Sequence, residues 1–121
     1  MAIHKILVVD DSPTERFFLS ELLTRKGYQV RIAESGEEAL AQAKQEKPDL
    51  ILMDVVMPGL NGFQATRAIA KDLETKDIPI IMCTTKGQET DKVWGMRQGA
   101  RDYIVKPVNQ DELLKKIAAI G

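Results

Sequence analysis

Five side chains stand where short apolar runs end. Asp10 and Asp11 follow the first run, Asp54 the third, Thr84 ends the fourth, and Lys106 follows the fifth. A parallel sheet would bring these widely separated positions to one rim. Three carboxylates gathered there repel, and a pair about 4 Å apart costs on the order of 4 kcal/mol at an effective dielectric of about 20. A hard divalent cation offsets that cost, and an all-oxygen donor set with few protein contacts suits Mg²⁺. Lys106 adds a fixed positive charge. Carboxylates, Mg²⁺, a lysine and a hydroxyl together make a phosphoryl-transfer site, where positioning and charge neutralisation carry most of the catalysis. Asp54 is the candidate nucleophile, because a carboxylate can attack phosphorus and hold it as an acyl phosphate. Asp11, with Asp10 behind it, would hold the metal. Thr84 would donate its hydroxyl to a phosphoryl oxygen.

The elements that must position these groups are legible in the apolar pattern. Lys5 to Val9, Leu50 to Met53 and Ile78 to Thr84 read as buried strands, Gln29 to Ala33 as a strand nearer an edge, and Asp102 to Val105 as a short fifth strand. Ser12-Pro13-Thr14-Glu15 and Ser35-Gly36-Glu37-Glu38 read as capping boxes that open the first two helices. The first carries Phe18, Leu19, Leu22 and Leu23 and ends near Gly27; the second stops before Pro48. The third is expected from about Gly62 to Leu73 and the fourth from about Glu89 to Gln98, with Gly99 as its stop. Asn109 and Glu112 open a fifth, which carries Leu113, Leu114, Ile117 and Ile120. Strands buried on both faces require parallel pairing and covering helices. The expectation is an α/β, doubly wound, five-stranded parallel sheet of flavodoxin-like (βα)5 form, in the order 2-1-3-4-5. Its strand order reverses between the first and third strands, and ligands bind in the crevice that opens there.

The totals narrow the function. The chain has 121 residues, enough for one domain with its own core. Seventeen basic against 18 acidic residues give a net charge of −1, so bulk charge offers no argument for nucleic acid. A single cysteine, Cys83, allows no internal disulfide, and the start of the chain lacks a signal-peptide layout. No apolar run approaches the roughly 18 residues that span a bilayer. A cytoplasmic protein that binds neither nucleic acid nor membrane is the expectation.

Taken together, Ile6-Leu7-Val8-Val9-Asp10-Asp11-Ser12, Asp54-Val55-Val56-Met57-Pro58-Gly59-Leu60-Asn61-Gly62, Thr84 and Lys106-Pro107 resemble the receiver domain of two-component response regulators, across the whole length of the chain. The resemblance implies that residues 1–121 are one receiver domain with no output domain. It implies that Asp54 takes a phosphoryl group from a phosphohistidine on a sensor histidine kinase. Asp10, Asp11, Asp54 and the main-chain carbonyl of Val56 would arrange the Mg²⁺. A cis bond between Lys106 and Pro107 is also implied. So is a switch that pairs Thr84 with Tyr103: Thr84 moves toward the phosphoryl group, Tyr103 turns inward, and the face of the fourth helix, fifth strand and fifth helix changes for a downstream protein target. The stretches Asn61 to Arg67, Thr84 to Lys86 and Arg97 to Tyr103 look like the stand-alone regulators of type IV pilus twitching motility. Val56 and Lys86 occupy positions that vary within the family and affect loss of the phosphoryl group there.

Other readings compete with these. Acidic pairs at strand ends are often merely solvated, and Tyr103 can serve packing alone. A phosphate sink would share the receiver chemistry without a downstream target. Small aspartate-nucleophile phosphatases normally place a second acid two residues after the nucleophile, where this chain has Val56. A flavin or nucleotide module would need a glycine-rich loop where Asp11-Ser12-Pro13 stands. Cys83 reads as a small buried hydrophobe, His4 as exposed, and Trp94 as either half-packed or a partner contact.

Overall fold

The structure, a computed structural model, describes residues 2–121. Strands and helices alternate along the chain: β1 (Lys5–Val9), α1 (Pro13–Arg25), β2 (Gln29–Ala33), α2 (Gly36–Glu46), β3 (Leu50–Met53), α3 (Gly62–Lys71), β4 (Ile80–Thr84), α4 (Glu89–Gln98), β5 (Asp102–Val105) and α5 (Gln110–Ile120). The strands pair in parallel as β2-β1-β3-β4-β5. β1, β3 and β4 are the inner strands and apolar almost throughout, because both of their faces are covered. β2 lies at an edge and exposes Gln29, Arg31 and Ile32.

Side chains that alternate along each strand feed two cores. Leu7, Val9, Ile51, Met53, Ile80, Met82 and Tyr103 pack on one face with Ala39 and Ala43 of α2 and Ala65 and Ile69 of α3. Ile6, Val8, Leu50, Leu52, Ile81, Cys83 and Ile104 pack on the other with Leu19, Leu22 and Leu23 of α1 and Leu113 and Ile117 of α5. The sheet is thereby held as a stiff plate between two helical layers. Among the described residues, no helix is long and apolar enough to cross a membrane.

Local chemistry sets the helix ends. The Ser12 and Ser35 hydroxyls accept the N–H groups of Glu15 and Glu38, so each expected capping box is made on the serine side. The reciprocal box forms instead at α3, where Asn61 and Gln64 each accept the other's N–H. α3 stops at Lys71, two residues before the expected Leu73, because the Asp72 carboxylate accepts the Glu74 N–H and turns the chain. β4 begins at Ile80 and not at Ile78: the Ile78 N–H is used in a turn onto Thr75, and Pro79 has no N–H to give. Phe18, expected inside, is 44% exposed on the outer side of α1. Cys83 is buried as expected, with burial pushing its thiol up to about 12, which leaves it inert.

Candidate functional site

Asp10, Asp54 and Lys106 lie one position past a strand end, Thr84 at one and Asp11 two past, and backbone hydrogen bonds carry the sheet's order out to them. The Asp10 N–H donates to Ala33 O, the Asp54 N–H to Val9 O, and the Lys106 N–H to Thr84 O. These bonds fix the starting points of the side chains on four neighbouring strands. The result is one acidic crevice at the carboxyl ends of β1 and β3, where the strand order reverses.

Within it, Asp10, Asp11 and Asp54 each offer a carboxylate oxygen, and the three oxygens lie within 4.8 Å of one another. Asp10 and Asp54 are buried, while Asp11 faces solvent. Lys106 Nζ donates to Asp10 Oδ2 at 2.6 Å and stands 3.7 Å from Asp54 Oδ2. Asp10 Oδ1 accepts the Ser12 N–H, and Asp54 Oδ1 accepts the N–H of Val55. The Thr84 side chain is fully buried at the end of β4. An all-carboxylate set of this spacing, with one member open to solvent, fits a hard cation that keeps part of its hydration.

Burial raises the pKa of Asp54 above the ordinary carboxylate value, and the charge of Asp10 adds to the rise. Lys106, the Val55 N–H and the Thr84 hydroxyl oppose it without cancelling it. For Lys106, burial works against the charged form, but the hydrogen bond to Asp10 and the charge of Asp54 outweigh it, so the ammonium holds its proton more tightly than usual. The crevice therefore stores like-charge repulsion that the lysine only partly relieves.

The remaining candidates lie close by. The peptide between Lys106 and Pro107 is cis, as the resemblance implies. Val56 is 54% exposed and lines a shallow hollow with Val55, Met57, Asn61, Phe63 and Lys86. No acid occupies the place two residues after Asp54. Tyr103 is buried with its ring already turned inward, and its hydroxyl donates to the Lys86 carbonyl at 2.6 Å. The Lys86 N–H in turn donates to Thr84 Oγ1 at 3.3 Å. The ring lies beside Gly95 of α4. Trp94 is half exposed on the outer side of α4, between Val93 and Met96.

Sequence reasoning missed two supporting residues. Arg16 reaches from α1 to donate to the Asp10 main-chain carbonyl at 2.8 Å, and it pairs with Glu34 at 3.3 Å. It ties the β1–α1 and β2–α2 loops together beneath the acids. Its place one turn into a helix that starts at the site was the available signal. Gly62 was read only as a turn residue and the start of α3. A Cβ there would overlap the Asp54 carbonyl oxygen, so glycine is required for α3 to start beside the acid.

With a doubly wound sheet, an acidic triad at its switch point and a lysine on a cis-proline corner in place, comparison with known proteins gives the class. Residues 6–118 match the response regulator receiver domain, and the chain belongs to that family. It is 62% identical to the protein PilH of Pseudomonas aeruginosa over 116 residues, which cover 96% of each chain. Among solved structures, the chemotaxis protein CheY4 of Vibrio cholerae superposes with a TM-score of 0.92 at 38% identity, covering 99% of this chain and 100% of that one. The receiver domain of the Pseudomonas aeruginosa sensor histidine kinase PA1611, solved with a magnesium ion in its active-site cleft, superposes with a TM-score of 0.89 at 31% identity. The alignment covers 98% of this chain and 97% of that one.

Proposed function

We propose that the protein is a stand-alone response regulator that accepts a phosphoryl group on Asp54 from a phosphohistidine of a sensor histidine kinase. The observation that carries this is the triad itself: three carboxylate oxygens within 4.8 Å, with Lys106 Nζ 2.6 Å from Asp10 and 3.7 Å from Asp54. Asp10, Asp11 and Asp54, with the Val56 carbonyl, would hold Mg²⁺, which when bound neutralises charge on the transferring group. The magnesium in the cleft of the PA1611 receiver domain supports that assignment.

The chain's own groups supply the rest. One Asp54 carboxylate oxygen forms the new P–O bond as the P–N bond of the phosphoimidazole breaks, and the electron pair leaves with the ring nitrogen. The Val55 N–H and Lys106 favour the charged, nucleophilic form of Asp54 against the penalty of burial. Lys106 and Thr84 then receive two phosphoryl oxygens. Charge-assisted hydrogen bonds of this kind contribute roughly 1.5–3 kcal/mol each. A reversal of populations from 1:99 to 99:1 needs about 5.5 kcal/mol, so two or three contacts suffice.

The output is a change in the face formed by α4, β5 and α5, which meets a downstream protein target. Trp94, Val93 and Met96 give it exposed apolar area. The likeness to PilH and to the chemotaxis protein CheY4 supports a role in pilus-linked, chemotaxis-like signalling, and our reading places that role in the cytoplasm. The net charge of −1 fits a protein partner better than nucleic acid. The test is transfer from a purified phosphorylated kinase: label should move to the parent protein and not to Asp54→Asn. Label reaching both proteins alike would sink the proposal.

A further inference from the structure

We propose that Gly95 is a positioning residue for phosphoryl transfer: the space left by its missing side chain seats the Tyr103 ring, and the seated tyrosine holds the loop that orients Thr84. This rests on the reading of Asp54 as phosphoacceptor.

Gly95 sits inside α4, where its backbone is ordinary helix and any residue would fit by conformation. Glycine is the poorest helix former after proline, so its place in mid-helix calls for a packing reason. That reason is Tyr103. A Cβ at position 95 would lie 3.1 Å from Tyr103 Cε2, 3.3 Å from Cδ2 and 3.4 Å from Phe63 Cε1. The first two are closer than a comfortable carbon–carbon contact of about 3.5–4.0 Å. Phe63 of α3 borders the same space and packs against the cluster that holds Tyr103.

The ring's position is transmitted by hydrogen bonds. The Tyr103 hydroxyl holds the Lys86 carbonyl, and the N–H of the same residue holds Thr84 Oγ1. The β4–α4 loop is thus anchored to the switch tyrosine on one side and to the phosphoryl-binding hydroxyl on the other. The ring's burial also pushes its hydroxyl up to about 12, with Asp91 and Asp54 contributing. Displacing the ring frees the loop and loosens the hydroxyl that must meet the phosphoryl group.

The test combines Gly95→Ala with Tyr103→Ala in a double-mutant cycle, in protein labelled with 3-fluorotyrosine. The chain has two tyrosines, and Tyr28→Phe assigns the Tyr103 signal. In the parent, Gly95→Ala should shift that signal, because the ring must give by a few tenths of an ångström. It should also slow phosphorylation by a small acyl phosphate donor by about two- to thirtyfold, the span of effects passed through packed networks. In the Tyr103→Ala background the same substitution should leave the rate unchanged. An unmoved fluorine signal, or an equal rate effect in both backgrounds, overturns the proposal. If Gly95→Ala unfolds the parent, Tyr103→Ala should restore the fold, and failure to restore it counts against the ring as the cause. If the parent takes up no phosphoryl group while the fluorine signal moves, the seat stands as packing, and it is the Asp54 reading, with the positioning role, that falls.

Discussion

Among the described residues Lys106 is the one cation paired with both buried acids, and its removal puts a number on the repulsion stored in the crevice. At an effective dielectric of about 20, its charge at 3.7 Å from Asp54 is worth about 4.5 kcal/mol, and two carboxylates 4.8 Å apart repel by about 3.5 kcal/mol. Lys106→Met keeps the aliphatic stem and deletes only the charge. Breaking a buried pair by removing one partner costs about 3–5 kcal/mol. That is the loss expected in urea unfolding at neutral pH with chelator present. Two rescues should follow. Mg²⁺ at a hundredfold excess over the variant's dissociation constant should return about 2.7 kcal/mol to the variant and less to the parent, where Lys106 already offsets part of the acids' charge. Acid should also shrink the deficit. Without the lysine, the folded Asp54 carboxyl holds its proton still more tightly than the unfolded chain does. The variant's stability therefore falls as pH rises through the carboxylate range and recovers as pH drops. A deficit of the same size in chelator, in Mg²⁺ and in acid would refute the reasoning and leave Lys106 as a packing residue.

Other outcomes follow from the same geometry. Asp54 has a raised pKa, so its ionisation costs the fold, and the cost appears as pH rises from about 4 toward the folded value. Asp54→Asn should be more stable than the parent at neutral pH by about 0.5–2 kcal/mol, with the gap closing below pH 4, as followed by thermal unfolding at several pH values. Gly62→Ala forces a methyl group into the Asp54 carbonyl and should cost about 3 kcal/mol or more by urea denaturation, with slower phosphorylation in whatever remains folded. Val56 presents an exposed apolar side chain beside the acid and cannot orient an attacking water. Val56→Asn should therefore shorten the phosphoryl lifetime, measured by loss of label after the donor is removed, and a longer lifetime would reject that role.

Strand identity and order were legible because their cause is local and repetitive. β1, β3 and β4 are apolar runs that only a doubly covered parallel sheet can bury, and four of the five strands have the bounds read from sequence. β4 was misjudged at its start, since hydropathy alone does not show that the Ile78 N–H is already spent in a turn. Phe18 misled for a related reason. Helical periodicity names a face, but the width of the buried stripe depends on how closely the sheet approaches, and α1 buries only Leu19, Leu22 and Leu23. Asp10, Asp11, Asp54, Thr84 and Lys106 were readable because strand ends and the switch-point rule place them together. Arg16, Gly62 and Gly95 were not, since their roles are contacts made from one element onto the next, which hydropathy does not record. A side chain that reaches a carbonyl, and a hydrogen atom where a methyl group would collide, leave no periodic trace.

The most direct measurement is intact mass after incubation with a small acyl phosphate donor, with and without Mg²⁺, beside an Asp54→Ala control. The account predicts one added phosphoryl group on the parent in the presence of Mg²⁺, and none on the control or in chelator. Equal phosphorylation of Asp54→Ala would contradict it, because the acceptor would then lie outside the crevice that the sheet builds.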